Sequence, residues 1–200
     1  MKFIKSVLLK TILIFFIFSL LCGVIYPLIV TGISQVCFKD KANGSIIEVD
    51  GVRYGSELLA QEFTGNQYLW GRVMISNPIS LEEDENLLYY AGPSNLTPAS
   101  EAYGDLIAER VSKIQAANPD AKSEEVPVDL VTVSGSGLDP QISVNAADYQ
   151  IPRIAKSRGM SEEEVQKIID KYTDHKLFGI FGEEVVNVLE VNLALDGILK

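Results

Sequence analysis

Residues 11–38 read TILIFFIFSLLCGVIYPLIVTGISQVCF and contain no charged side chain. At about 1.5 Å per residue, a helix of this length exceeds the roughly 30 Å thickness of a bilayer's hydrocarbon core. The pattern therefore predicts one transmembrane helix at 11–38. Pro27 removes a backbone donor inside this span, so we expect the helix to be kinked or to lose its regular hydrogen bonding there.

Three lysines precede the apolar span, Lys2, Lys5 and Lys10, and no acidic residue lies among them. A basic excess next to a membrane helix holds that end of the chain in the cytoplasm. We therefore expect residues 1–10 to form a cytoplasmic tail and residues 39–200 to form one extracytoplasmic domain.

Two alternatives to an uncleaved anchor remain open. A signal peptide has an apolar core of about 7–15 residues and a small-residue cleavage site, whereas this span is longer and has no A-x-A pattern. A lipoprotein signal is suggested by SLLCG at 19–23, although Leu21 stands where a small residue is expected. The chain would then be a free-standing lipoprotein binding module tethered through Cys22. Cys37 lies about 22 Å further along a helix, too far from Cys22 for a disulfide.

Charge and length limit the partners of the domain. The chain has 200 residues and a formal net charge of −10, and its basic residues form no cluster. We expect no nucleic-acid partner and little attraction to anionic lipid headgroups, so the lipid bilayer is a partner through the apolar span alone. The roughly 160 residues after the span are enough for one hydrophobic core.

Alternating and β-branched stretches predict the strands of this domain. An Asp-Gly pair between 45–49 and 52–54 is typical of a tight hairpin turn. Residues 127–134, PVDLVTVS, predict a short buried strand. Residues 189–195 alternate apolar and polar side chains, as a half-buried strand does. The stretch 55–63 is compatible with a strand or a helix.

Capping signals predict the helix boundaries. Thr97 followed by Pro98 predicts a helix start, and the helix should end at the Asn-Pro pair 118–119. Ser161 and Glu164 have the spacing of a capping box. The buried stripe of the helix that follows is expected to consist of Val165, Ile168, Ile169 and Tyr172.

Ser143 is expected to cap a further helix that runs through Tyr149. Pro152 should interrupt or kink that helix, and Gly159 should end it. Strands early, helices in the middle and a strand at the end predict a mixed α+β domain behind the single transmembrane helix.

Two segments have ambiguous roles. Residues 82–85, EEDE, are typical of a solvated loop and lack the ligand spacing of a calcium loop. Residues 68–72, YLWGR, form either a buried aromatic cluster, with Arg72 in an ordinary ion pair, or a ligand site. The first interpretation is favoured because aromatic residues usually serve packing.

The motif SGSGLDP at 134–140 is the strongest candidate for chemistry. Glycines after a strand can present backbone N–H groups to an anion, but the segment lacks the lysine of a P-loop and the spacing of a dinucleotide turn. A tight strand-to-helix turn with positive φ is the favoured interpretation. His175, the sole histidine, lies in a polar turn at 173–176. A membrane-anchored extracytoplasmic hydrolase using Ser136 and His175 is the alternative, without a G-x-S-x-G elbow to support it.

Several motifs together resemble a known family. They are the span ending in YPLIVTGISQV, then YLWGR, GPSNLTP, the stretch VPVDLVTVSGSGLDPQISVNAADYQIPRIAKSRG at 126–159 and VNVLEVNLALD at 186–196. The chain resembles the C subunit (KdpC) of the bacterial high-affinity potassium-transporting P-type ATPase. The D-K-T-G-T segment of the phosphorylated subunit is missing from the sequence.

The resemblance implies a non-catalytic accessory subunit in the bacterial cell membrane, needed for assembly and activity. Its implied partners are a channel-like potassium-binding subunit and a P-type ATPase subunit. The family is described as a catalytic chaperone that raises the ATP affinity of the pump, so ATP is an implied ligand through the complex, and no covalently bound cofactor or metal is expected. The implied nucleotide contacts are Ser134, Gly135, Ser136, Gly137 and Gln141. These residues would lie outside the cytoplasm, away from ATP, if the lysine rule sets the orientation.

Overall fold

The computed structural model describes residues 2–79, 88–121 and 125–200. These residues divide into two compact units, Met1–Ile46 and Ile47–Lys200. The first unit is helical, and the second is a mixed helix and sheet domain, as the sequence predicted.

The apolar helix is longer than predicted. Helix α1, Lys2–Leu20, continues through one π-helical turn, Leu21–Ile25, into α2, Tyr26–Cys37. The stretch Ser6–Cys37 is long and apolar enough to cross a membrane. The limits of the cytoplasmic tail (1–10), the transmembrane span (11–38) and the extracytoplasmic domain (39–200) remain predictions. They depend on where the bilayer begins and ends along the chain, which the ends of the helix do not give.

The expected irregularity lies just before Pro27. Proline has no N–H to donate to the carbonyl four residues earlier, and its ring crowds that carbonyl. The helix widens into the π turn Leu21–Ile25 at this point, with Pro27 in the first turn of α2. Such a turn is a recognised way to absorb a break in the i to i−4 ladder. A four-residue helix, α3 (Lys39–Ala42), follows.

The predicted hairpin is confirmed. Strands β1 (Ile46–Val49) and β2 (Val52–Ser56) pair, and Asp50 and Gly51 have φ of 52° and 79°, as a tight turn requires. Of the stretch 55–63, Gly55 and Ser56 continue strand β2, and the residues beyond Ser56 form a turn and then irregular chain.

A second hairpin pairs β3 (Ser76–Ile79) with β4 (Leu88–Ala91) in antiparallel register. The acidic run at 82–85, predicted to be a solvated loop, lies outside the described residues.

The predicted start of the next helix is wrong by three residues. Helix α4, Glu101–Ala117, is capped by Ser100, whose hydroxyl accepts a hydrogen bond from the Tyr103 N–H. Thr97 instead begins a turn in which its carbonyl accepts from the Ser100 N–H. The predicted end is confirmed, because Asn118 closes α4.

The strand predicted at 127–134 is also wrong. Residues Val128–Leu130 form a 3-10 turn, and the only pairing described in this stretch is a single bridge between Val133 and Val73. The prediction of burial holds for Leu130 and Val131. In this turn the N–H groups of Val131 and Thr132 both donate to the Val128 carbonyl, so backbone groups that would pair with a neighbouring strand are bonded locally.

The central capping predictions are confirmed. Strand β5 (Gln141–Ser143) leads into α5 (Val144–Asp148), which Ser143 caps. Helix α6 (Ile151–Arg158) carries Pro152 in its first turn and ends at Gly159, with φ of 66°. Helix α7 (Glu162–Lys171) begins with the capping box.

The last predicted strand is a helix. Strands β6 (Thr173–Asp174) and β7 (Val185–Asn187) complete an antiparallel sheet in the order β5-β7-β6, and α8 (Val188–Leu195) follows directly. The alternation of apolar and polar residues at 189–195 predicted a half-buried strand, in which Asn192 would face solvent. Asn192 is instead buried together with its apolar neighbours. Side chains from this sheet and from helices α5 to α8 form most of the hydrophobic core. Its fully buried members include Ile142, Ile154, Val165, Ile169, Val186 and Val191.

Candidate functional site

Two buried side-chain amides hold residues 65–72, hereafter the aromatic segment. Asn192 of α8 accepts from the Leu69 N–H at 2.7 Å and donates to the Leu69 carbonyl at 2.9 Å. Gln150 makes the same pair of bonds with Trp70, at 2.9 and 3.0 Å. Each amide thus replaces a neighbouring strand, because it supplies one acceptor and one donor to a single residue.

Arg153 of α6 also binds the aromatic segment, through hydrogen bonds to its backbone and a contact with the Trp70 ring. Its Nη1 donates to the carbonyls of Asn66 at 2.6 Å and Tyr68 at 2.9 Å, and its guanidinium lies 4.5 Å from the centre of the Trp70 ring. Burial lowers the pKa of Arg153 to about 10. Among the described residues the guanidinium forms no ion pair with a carboxylate, and its other N–H groups donate to the side-chain amide oxygens of Asn118 and Gln150.

Arg72, at the end of the aromatic segment, contacts two carboxylates. Its Nη1 lies 3.6 Å from Asp129 and 3.5 Å from Asp139, which confirms the predicted ion pair. The other oxygen of Asp129 accepts from the Ser143 N–H at 2.8 Å, so the acid also fixes the start of α5. Arg72 thereby links the aromatic segment to residues 134–141, hereafter the glycine segment.

Local hydrogen bonds shape the turn of the glycine segment. The Ser134 hydroxyl accepts from the Gly137 N–H at 3.0 Å, and the Ser136 hydroxyl accepts from the Leu138 N–H at 3.2 Å. The two hydroxyls lie 3.2 Å apart. Two of the N–H groups that a phosphate-binding loop would present to its anion are therefore bonded within the segment.

Gly137 is the residue that requires glycine. Its φ is 73°, and a Cβ atom built there would lie 2.7 Å from the backbone nitrogen of Gly92. Gly135, in contrast, is exposed and has open space around the same position. The predicted turn with positive φ is confirmed at Gly137, although the chain before it is irregular and not a strand.

The end of the glycine segment lies beside carboxylates. Gln141 donates to Asp174 of β6 at 3.3 Å. Burial, followed by the negative charges of Glu57 and Asp174, raises the pKa of Glu190. The five candidate nucleotide contacts thus share one turn and one strand, with Ser134 and Gly137 buried and Ser136 exposed. A direct nucleotide contact remains a prediction.

The pair required for the hydrolase alternative is not formed. His175 is exposed, and its Nδ1 lies 3.0 Å from Glu184, whereas the Ser136 hydroxyl bonds to Ser134 and Leu138. No hydrogen bond joins His175 to Ser136 in the described part of the chain. Within the same residues, no group of three His, Cys, Asp or Glu side chains is placed to hold a metal ion.

Sequence reasoning missed the three side chains that hold the aromatic segment: Gln150, Arg153 and Asn192. The available signal was a polar residue inside an apolar run, as with Asn192 between Val191 and Leu193. Such residues are usually hydrogen-bonded when buried, but their partners here lie far away in sequence.

Fold and site together define a class of protein: a mixed helix and sheet domain that follows one apolar, membrane-competent helix. The chain belongs to the KdpC family, because the family model described as "KdpC: K+-transporting ATPase, c chain" matches residues 8–197.

Curated relatives agree over nearly the whole chain. The "Potassium-transporting ATPase KdpC subunit" of Clostridium botulinum (strain Eklund 17B) is 56% identical and aligns with 100% of both chains. The subunit of the same name from Clostridium perfringens is 58% identical over 96% of this chain and 97% of its own. The one from Clostridioides difficile is 44% identical, with 100% and 99% covered.

Proposed function

We propose that this chain is the non-catalytic accessory subunit of an ATP-driven potassium uptake pump, needed for assembly and activity. The observation that carries the proposal is the family match over residues 8–197, which includes both the apolar helix and the domain. The sequence has no D-K-T-G-T segment, so it lacks the aspartate that a P-type pump phosphorylates. The catalytic steps then belong to a partner ATPase subunit.

The domain is proposed to lie outside the cytoplasm, over the mouth of the potassium-binding subunit. The three lysines before the span support this orientation, because basic residues next to a membrane helix stay in the cytoplasm. In the membrane, the apolar helix would dock against the same subunit. The net charge of −10 would slightly enrich cations near the entrance, an effect that salt screens within about 8–10 Å.

The family's chaperone effect on ATP affinity is proposed to be indirect in this chain. The orientation separates the glycine segment from cytoplasmic ATP. The N–H groups of Gly137 and Leu138 also have acceptors inside the segment, which leaves fewer donors for a phosphate. The effect would then pass through contacts between subunits.

Tagged purification tests the subunit role. The chain is isolated in mild detergent from potassium-starved cells, co-eluting proteins are identified, and potassium-stimulated ATPase activity is measured. We expect two larger membrane proteins and that activity. A chain that elutes alone, together with normal growth at limiting potassium after its deletion, would refute the proposal.

A cysteine substitution tests the orientation. Ser136→Cys, in a chain with Cys22 and Cys37 replaced by alanine, should react with a membrane-impermeant thiol reagent from outside the cell, because Ser136 is exposed. Labelling from the cytoplasmic side alone would contradict the proposed orientation. In the assembled pump, Ser136→Ala should also leave the KM for ATP unchanged, whereas a direct contact predicts that the KM rises.

A further inference from the structure

The β3–β4 hairpin joins the rest of the domain at its open end. The register pair at that end is Ser76 with Ala91, so the chain enters the hairpin from Ile75 and leaves it through Gly92. In the described part of the chain, its two strands pair only with each other. A ribbon of two strands has little stability of its own, so its position depends on what holds the open end.

Gly137 of the glycine segment contacts the hairpin on both sides of this open end. Its carbonyl accepts a hydrogen bond from the Ile75 N–H at 3.0 Å. Its Cα lies against the backbone of Gly92, because a Cβ atom built on Gly137 would be 2.7 Å from the Gly92 nitrogen. Both glycines are buried. A single residue therefore meets the chain where it enters the hairpin and where it leaves.

The other end of the glycine segment is fixed to the core. Asp139 lies 3.5 Å from Arg72 of the aromatic segment, and the Pro140 carbonyl accepts from the Val188 N–H at the start of α8 at 3.1 Å. Gln141 then begins β5 of the three-stranded sheet. The glycine segment thus connects the hairpin to the sheet and helices that form the core.

These contacts engage the backbone groups at the centre of the segment. The carbonyls of Gly137 and Leu138 accept from the N–H groups of Ile75 and Ala60, each at 3.0 Å. The N–H groups of Gly137 and Leu138 donate to serine hydroxyls inside the segment. A phosphate-binding loop keeps its N–H groups for the anion, whereas both backbone groups of these two residues bond within the chain.

We propose that the glycine segment is the joint that sets the direction of the β3–β4 hairpin, with Gly137 as the positioning residue. The segment influences ATP use by the pump through the position of this hairpin, and not through a nucleotide that it holds itself. The joint is a property of the chain alone, whereas the influence on ATP use rests on the proposed function.

The close approach of Gly137 to Gly92 makes the joint sensitive to a single methyl group. A side chain at position 137 would meet backbone atoms, which yield only when the strand end moves. Gly135, two residues earlier, has open space around the same position. A substitution at 137 should therefore displace the hairpin, and the same substitution at 135 should not.

Hydrogen exchange followed by mass spectrometry tests the joint, in the full-length chain in detergent and in the assembled pump. Gly137→Ala should make the amides of 76–79 and 88–91 exchange about tenfold faster, because a displaced hairpin opens more often. The amides of α7 should exchange as in the wild type. Gly135→Ala is the matched control and should leave exchange unchanged throughout.

Ile75→Pro loosens the joint from the side of the hairpin. Proline has no N–H, so the hydrogen bond to the Gly137 carbonyl is lost while the glycine segment keeps its sequence. We expect the same local increase in exchange as in Gly137→Ala. Ile75→Ala keeps the N–H and is the control, so it should give a smaller increase.

The KM for ATP separates a joint from a nucleotide contact. In the assembled pump, Gly137→Ala and Ile75→Pro should each raise the KM for ATP by about threefold, with a smaller change in kcat. The double variant should resemble either single variant, because both changes act on the same joint. A nucleotide held by the glycine segment predicts instead that Gly137→Ala raises the KM and Ile75→Pro does not.

The outcomes separate this inference from the proposed function. If the wild-type chain recovers no pump subunit, the proposed function fails, and exchange in the chain alone still decides whether Gly137 is a joint. Equal exchange of the hairpin in Gly137→Ala and in the wild type overturns the inference. Faster exchange spread evenly over the whole domain also overturns it, as does a loosened hairpin in both variants with the KM for ATP unchanged.

Discussion

The aromatic segment and the glycine segment are held in place by different kinds of hydrogen bond. The backbones of Leu69 and Trp70 are hydrogen-bonded by the side chains of Asn192 and Gln150, which lie 123 and 80 positions away in sequence. The turn at 134–138, in contrast, is closed by hydroxyls only two or three residues from the N–H groups that they accept from. The first segment therefore depends on the whole core, whereas the second largely makes its own shape.

This difference determines what a mutation can reveal. A substitution that removes one of these distant side chains leaves buried backbone groups without hydrogen-bond partners. The loss of stability grows with the number of groups left unpaired. A substitution on the exposed side of the glycine segment leaves the core intact. Effects on pump function at Gly135 or Ser136 can therefore be interpreted without a change in fold.

Arg153→Ala should produce the largest loss of stability. It leaves the carbonyls of Asn66 and Tyr68 without the guanidinium donor and removes one of the two donors to the Gln150 side-chain oxygen, so we expect a loss of about 3 kcal/mol or more. The measurement is urea unfolding in detergent followed by the fluorescence of Trp70, the single tryptophan, on which the guanidinium stacks.

Lys156→Ala is the matched control for Arg153→Ala. It removes a basic residue from the same helix, but one that is exposed and paired only with Asp120 at 3.4 Å. Its effect should stay below about 0.5 kcal/mol, because exposed ion pairs contribute little. Equal unfolding midpoints for both variants would show that the hydrogen bonds of Arg153 do not stabilise the aromatic segment.

Gly137→Ala should cost about 2 kcal/mol or more. The new methyl group would enter the space of the Gly92 backbone, and alanine disfavours a φ of 73°. Gly135→Ala, two residues earlier, should be within about 0.5 kcal/mol of the wild type, since its surroundings are open. The unfolding midpoints of the two variants check this, and a similar loss for both would show that the segment is packed more closely than its contacts indicate.

The same division between local and distant determinants explains which predictions succeeded. Hydrogen bonds of the Ser161 and Glu164 capping box connect residues three apart, so the sequence contains the whole interaction. The hairpin turn at Asp50 and Gly51 is equally local. These elements were predicted correctly.

Distant contacts explain two of the failures. Asn192 looked like the polar face of a strand, but it points into the core because Leu69, 123 positions earlier, supplies its partners. Residues 127–134 had the β-branched composition of a strand, but in the described part of the chain their only strand-like pairing is one bridge to Val73. Composition and periodicity carry no information about such partners.

The candidate site divides in the same way. The five nucleotide contacts that the family resemblance implies are close in sequence, so their proximity was predictable without a structure. The link from Arg72 to Asp129 and Asp139 spans up to 67 positions and was predicted only as an ion pair without named acids.

Ser134→Ala should have a modest effect on the local turn. It removes the hydroxyl that accepts from the buried Gly137 N–H, and we expect a loss of about 1 kcal/mol in urea unfolding. Ser136→Ala is the control, because its hydroxyl is exposed and water can replace it at the Leu138 N–H. A larger loss for Ser136→Ala than for Ser134→Ala would contradict the assignment of Ser134 as the residue that closes the turn.

The pH dependence of stability should give the smallest effect and extend the comparison to charge. The buried cation of the aromatic segment, Arg153, has a pKa of about 10 and stays charged through the neutral range. Beside the glycine segment, burial and then the charges of Glu57 and Asp174 raise the pKa of Glu190 above its unfolded value. Protonated Glu190 is thus favoured by folding, and its contribution is fully present below the unfolded pKa of about 4.3 and is lost as pH rises through the folded pKa.

Glu190→Gln isolates this contribution, because glutamine keeps the shape and has no charge to lose. The difference in urea midpoint between variant and wild type should increase in favour of the variant as pH rises from about 4 to about 7. Glu164→Gln should change with the opposite sign. Hydrogen bonds from the Ser161 backbone and hydroxyl lower the pKa of Glu164, so its carboxylate stabilises the fold above the unfolded pKa and this stabilisation is lost as pH falls through the folded value. Parallel pH profiles for the two variants would show that the carboxylates beside the glycine segment do not repel one another.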